Sequence, residues 1–151
     1  MTATTSGPFI FAYDGSDLAK LAIEEAGRLF GNPGREAVVL TVWQPFDVGF
    51  VPVGELQFDA AEIFEVQKAA EVTAAAGASL AEAAGFRAMS AAIKAAPTWK
   101  AIADFADERN ASLIVLGSHG RSGFAGHLFG SVAAAVAEHS TRSVLIVHHP
   151  S

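Results

Sequence analysis

Ser112-Leu-Ile-Val-Leu-Gly117-Ser-His-Gly120-Arg-Ser-Gly123-Phe-Ala-Gly126-His-Leu-Phe-Gly130-Ser131 is the stretch on which the fold turns. Four bulky apolar residues, Leu113 to Leu116, stop at Gly117 and give way to Ser118 to Gly130, where Gly120, Gly123, Gly126 and Gly130 recur. An apolar run bounded by glycine reads as a buried strand that delivers a loop. Beyond it, Ser131 to His139 is alanine-rich with Val132 and Val136 one turn apart, which predicts a helix with Ser131 near its N-terminus. Strand, glycine loop and helix N-terminus in that order make an anion site. Unshielded backbone N–H groups converge where the helix dipole is positive, so a phosphate can be held without a side-chain cation. The plainer alternative is a surface loop with no ligand.

The spacing excludes two common phosphate loops. A Walker loop needs a lysine directly after its last glycine, and none of Lys20, Lys68, Lys94 or Lys100 follows a glycine. A dinucleotide fingerprint needs two glycines separated by one residue, and the chain has no such pair.

Working outward, Phe9 to Tyr13 is a compact apolar strand that stops at the turn and capping residues Asp14-Gly15-Ser16-Asp17. Ser16 or Asp17 can cap a helix to about Phe30, with Leu18, Leu21, Ala22, Ala26 and Leu29 on one face, and Gly31 to Gly34 ends it. Glu36 to Trp43 is a second buried strand, so the two strands and their helix form a βαβ unit with parallel pairing. Gln44 to Glu55 reads as a connection packed on the domain or a partner-docking loop. A helix follows from about Phe58 to Ala84, with Gly77 weakening its middle and Gly85 stopping it. Phe86 to Ala95 predicts a third strand. A helix from about Pro97 to Arg109 carries the stripe Trp99, Ile102, Phe105 and Ala106. Ser143 to His148 closes the chain as a fifth strand.

Alternation of strand and helix without repeat or linker predicts one α/β domain over 9–151 behind a flexible tail, 1–8. Its five-stranded, mainly parallel sheet is covered on both faces. Ligands of such sheets sit beyond the carboxyl ends of the strands, where strand order reverses. If the strands ending at Asp14 and Gly117 are neighbours there, the carboxylate and the glycine loop face one crevice.

The pattern Gly117-x2-Gly120-x9-Gly130-Ser131 closely resembles the signature of the universal stress protein (UspA-like) family. Ala12-Tyr13-Asp14-Gly15-Ser16 resembles the family's first strand and turn, Thr41-Val42 the end of its second strand, and Ser143 to Val147 its last. The resemblance covers nearly the whole chain. It implies strand order 3-2-1-4-5, a Rossmann-like (adenine nucleotide alpha hydrolase-like) fold, and ATP bound in the crevice; Mg2+ could accompany the triphosphate through the phosphate oxygens, with or without Asp14, since the sequence shows no dedicated cage. It places Asp14 at the ribose or adenosine end, Val42 at adenine through its main chain, and Gly117, Gly120, Gly130 and Ser131 at the phosphates. Neighbouring positions Ala12, Tyr13, Ser118, His119, Arg121, Gly123 and Val132 complete the candidate set. Several have structural alternatives: Asp14 can cap its own turn, Ser131 its own helix, and Arg121 can pair with phosphate or stay solvated. The resemblance further implies a homodimer through Val144, Leu145, Ile146 and Val147, an apolar strand whose edge would otherwise be bare. Two positions depart from the pattern. Ala95-Ala96-Pro97 stands where many members have Gly and an acidic residue, and Arg142-Ser143 where Cys-Pro is common.

Composition narrows the function. Net charge −6 and pI near 5.2 argue against nucleic acid or an anionic membrane as partner. The chain has no cysteine, hence no disulfide or thiolate chemistry. The polar Met1 to Pro8 lacks a signal-peptide pattern and no run is long enough to span a membrane, so a cytoplasmic location is expected. The histidines, His119, His127, His139, His148 and His149, lack a chelating spacing, and there is no Gly-x-Ser-x-Gly elbow. The expected function is therefore a nucleotide-dependent sensor or regulator in the stress response. The alternatives are a slow ATPase or autophosphorylating enzyme using the same pocket, and a nucleotide-free dimeric interaction module.

Overall fold

The computed structural model describes residues 7–31, 33–45, 60–119 and 130–150. Its elements are β1 (Phe9–Ala12), α1 (Asp17–Leu29), β2 (Arg35–Trp43), α2 (Ala60–Ala83), β3 (Phe86–Lys94), α3 (Thr98–Glu108), β4 (Leu113–Gly117), α4 (Ser131–His139) and β5 (Val144–Val147). The five strands form one parallel sheet in the order β3-β2-β1-β4-β5, as expected.

Side-chain alternation along β1 sorts the core into two layers. Phe9 and Phe11 point to one face, where Leu18, Ala22, Ile23 and Ala26 of α1 and Ala81 of α2 cover them. Ile10 and Ala12 point to the other, against Ile102, Phe105 and Ala106 of α3 and Ala133 and Val136 of α4. Continuous apolar runs such as Val38-Val39-Leu40 follow from this, because a strand covered on both faces buries every residue.

Ser16 starts α1 as its N-cap, its hydroxyl accepting from the Ala19 N–H at 3.2 Å. Leu29, expected on the buried face, is 48% exposed.

Gly77 does not act as a helix weakener. It lies on the buried side of α2 with Val66, Ala70, Ala74 and Ala81. A Cβ there would stand 2.7 Å from both Tyr13 Cδ2 and Val39 Cγ1, so the missing side chain is what lets α2 reach the sheet. The helix is described from Ala60; Phe58, where its start was expected, and residues 46–55 of the preceding connection lie outside the described residues. His148 follows β5 instead of ending it. Gly7 and Pro8 are attached to the domain, their carbonyls accepting from the Ser112 hydroxyl at 2.7 Å and the Ser112 N–H at 3.1 Å.

Candidate functional site

The polarity of the connections reverses between β1 and β4. Helices α1 and α2 lie on one face, α3 and α4 on the other, and Phe11 of β1 is in register with Val115 of β4. The carboxyl ends of these two strands therefore open onto one crevice, with Asp14 on one side and Gly117, Ser118 and His119 on the other.

On the β1 side, the Tyr13 N–H donates to the Leu40 carbonyl at 2.9 Å and its own carbonyl accepts from the Thr41 hydroxyl at 2.9 Å. The strand is thus tied to β2 one residue beyond its last rung. Gly15 has φ +83°, a conformation that favours glycine, and it turns the chain so that Asp14 Oδ1 accepts from the Ser16 N–H at 3.0 Å. The turn-capping role is therefore real. It uses one acceptor position of the carboxylate. Tyr13 itself is turned away from the crevice, its ring against Gly77 and Val39. Burial pushes its phenol above the ordinary value, and the neighbouring Asp14 carboxylate adds to the rise.

On the β4 side, Gly117 is required by close approach: a Cβ there would lie 2.8 Å from Leu18 Cγ in the first turn of α1. Ser118 is buried, and its N–H donates to the Val147 carbonyl at 2.8 Å. The Gly130 N–H donates to the Ser118 carbonyl, and a Cβ on Gly130 would stand 3.3 Å from that oxygen and 3.5 Å from His119 Cα. Gly130 is thus the N-cap of α4 and brings the helix start against the strand end, its own amide already committed. Ser131, expected as a possible cap, is instead the first helical residue, exposed, with no side-chain cap bond at this terminus. The first-turn amides of Ser131, Val132 and Ala133 precede the intrahelical bond from Ala134 N–H to Gly130 O, and they point out of the helix end. Beside them the Nδ1 of His119 is buried with no hydrogen-bond partner among the described residues. Gly120, Arg121 and Gly123 lie outside the described residues.

The apolar candidates share one side. Ala12, Val42 and Val132 are half-buried and pack on the same cluster as α3 and α4, whereas Trp43 turns to the opposite face against Val66 and Ala70. Sequence reasoning missed three neighbours. Ile93 is the register partner of Val42. Gln44 Nε2 donates to the Ala95 carbonyl at 2.8 Å and to the Thr98 hydroxyl at 3.0 Å, fastening the ends of β2, β3 and α3 together. Only the periodicity of β3 hinted at Ile93, and nothing local marked Gln44 or Thr98. The other departure from the family pattern is remote from the crevice. Arg142 Nε donates to Asp107 at 2.9 Å, and its guanidinium also donates to the Asn110 side chain, near the start of β4.

A sequence profile described as the universal stress protein family matches residues 7–148. A universal stress protein crystallised in complex with cAMP is 30% identical, with a TM-score of 0.60 over 95% of this chain and 98% of that one. The universal stress protein of Archaeoglobus fulgidus, solved in complex with dAMP, is 26% identical, with a TM-score of 0.60 over 93% of this chain and 96% of that one. The Lactobacillus plantarum family member UspA is 19% identical with a TM-score of 0.67 over 97% and 99% of the two chains, a likeness of fold. A universal stress protein of Mycolicibacterium smegmatis is 49% identical over 41 residues, 27% of this chain, a match that spans 14% of that relative's length. With its sheet order, its β1–β4 crevice and a family profile over nearly all of its length, the chain belongs to the universal stress protein family.

Proposed function

We propose that this protein binds an adenine nucleotide, ATP foremost, in the crevice between β1 and β4, and that occupancy makes it a nucleotide-dependent regulator in the stress response. The observation that carries the reading is the meeting, at the one reversal of the sheet, of the Asp14 turn with the open first turn of α4. A carboxylate suits ribose hydroxyls, which donate to it, and a helix N-terminus suits phosphate. The residues fit such a ligand in two further respects. His119 keeps a buried Nδ1 beside the helix start with no partner among the described residues, the position of a group that completes its hydrogen bonding against something polar. Ala12, Val42 and Val132 leave apolar surface half-open on one side of the crevice, suitable for a base. Two relatives above 25% identity were solved in complex with adenine nucleotides, cAMP and dAMP, which supports the same class of ligand here. Gly120, Arg121 and Gly123 would line the phosphate end by the signature they belong to, and Mg2+ would accompany a triphosphate beside Asp14. The β5 edge is the proposed dimer contact, and the cytoplasm the proposed location.

The deciding experiment is to denature the purified protein, identify any released nucleotide by mass, and measure ATP binding to the emptied chain. Retained or rebound adenine nucleotide is expected. In Gly130→Glu a carboxylate takes the positive helix end for itself, so binding should fall at least tenfold while the melting temperature changes little. Wild-type protein that neither retains nor rebinds ATP at millimolar concentration, or Gly130→Glu that binds as wild type, sinks the proposal.

A further inference from the structure

Parallel register puts the side chains of paired residues on the same side of the sheet, and Val42 of β2 is paired with Ile93 of β3. Both are half-buried, both pack on the cluster under α3 and α4, and both stand one residue short of their strands' carboxyl ends. Together they form an apolar shelf at the ligand end of the sheet. Its outer rim is fastened. The Gln44 amide spends both Nε2 hydrogens on Ala95 O and Thr98 Oγ1, so the backbone just past Ile93 is held to the backbone just past Val42. Such a shelf suits a flat, weakly polar ring.

Distance decides which part of the ligand reaches it. Between β3 and β4 lie three strand spacings, about 14 Å in all. A molecule anchored at the α4 N-terminus must carry its base at the far end of a sugar and a phosphate chain to touch Ile93. This is the shape of an adenosine polyphosphate lying across the strand ends with Asp14 of β1 at its middle.

Resting on the adenine-nucleotide reading above, we propose that Ile93 contacts the base of the nucleotide, so that edge strand β3 supplies a specificity-determining side chain beside Val42. The test measures binding of adenosine, ATP and inorganic tripolyphosphate to the full chain carrying Ile93→Ala, Ile93→Val or Met89→Ala. Met89 lies on the same face of β3, 68% exposed and further from the carboxyl end, and serves as the control. Losing the branched contact in Ile93→Ala should weaken adenosine and ATP about tenfold and leave tripolyphosphate unchanged. Ile93→Val, which keeps most of the branched contact, should lose less than Ile93→Ala, and Met89→Ala should bind like wild type. Melting curves confirm that each variant is folded. A folded Ile93→Ala that binds adenosine and ATP as wild type does overturns the proposal while leaving the nucleotide reading intact, as does an equal loss of tripolyphosphate binding. Wild-type protein that binds no adenosine and no ATP overturns both.

Discussion

Tyr13 is the chain's single tyrosine and is 5% exposed, which makes it an optical probe of the buried layer between β1 and α2. Its phenol is raised above the ordinary value near 10, first by burial and then by the Asp14 charge. The folded state therefore holds the proton more tightly than the unfolded state. The associated stability is fully present below pH 10 and is lost as pH climbs toward the folded value. Phenolate absorbance at 295 nm should rise with a midpoint above that of free tyrosine, and Asp14→Asn should bring the midpoint down. A wild-type midpoint at or below 10 would contradict both causes. Asp14 was legible from the sequence as a crevice residue. The partner that ties its strand was not, because Thr41 donates to the Tyr13 carbonyl across 28 positions of chain.

Gly77 shows how elements meet. In an isolated helix Gly→Ala gains up to about 1 kcal/mol. Here the new methyl would stand 2.7 Å from Tyr13 Cδ2 and Val39 Cγ1 in a close-packed layer, and overpacking of this kind costs about 1–3 kcal/mol. The second effect wins, so Gly77→Ala should lower stability by about 1 kcal/mol or more in urea denaturation. A more stable variant would mean that α2 is not held against the sheet at this point. Propensity alone assigned Gly77 the opposite role, since the partners that make it necessary belong to β1 and β2. The same lesson applies to Gly117, placed by its signature at a phosphate and required in the structure by Leu18 of α1.

For the whole molecule, the open question is the edge of the sheet. Ile114 N–H donates to Ser143 O and Ser118 N–H to Val147 O, so Ser143, Leu145 and Val147 turn their backbone groups toward β4, and Val144 and Ile146 turn theirs outward. If a second copy pairs along this edge, Ile146→Pro removes an outward donor without touching the β4 ladder. Sedimentation should then show a shift toward monomer. Leu145→Pro breaks a ladder bond and should cost folding stability in addition. An Ile146→Pro protein that sediments as the wild-type oligomer rules this edge out. Leu145 also packs toward α1, so changing its side chain would mix the two effects.

The order of elements, the parallel α/β class, the strand that ends at Gly117 and the helix that begins at Ser131 were determined by the sequence alone. Apolar runs, alanine-rich stretches and glycine stops are local signals, written where they act. Tertiary structure alone decided that Gly130 spends its amide on Ser118, that Tyr13 faces α2, and that Ile93 stands beside Val42. Each of these depends on which strand lies next to which and in what register, and parallel pairing joins segments that are separated in the chain by a whole helix.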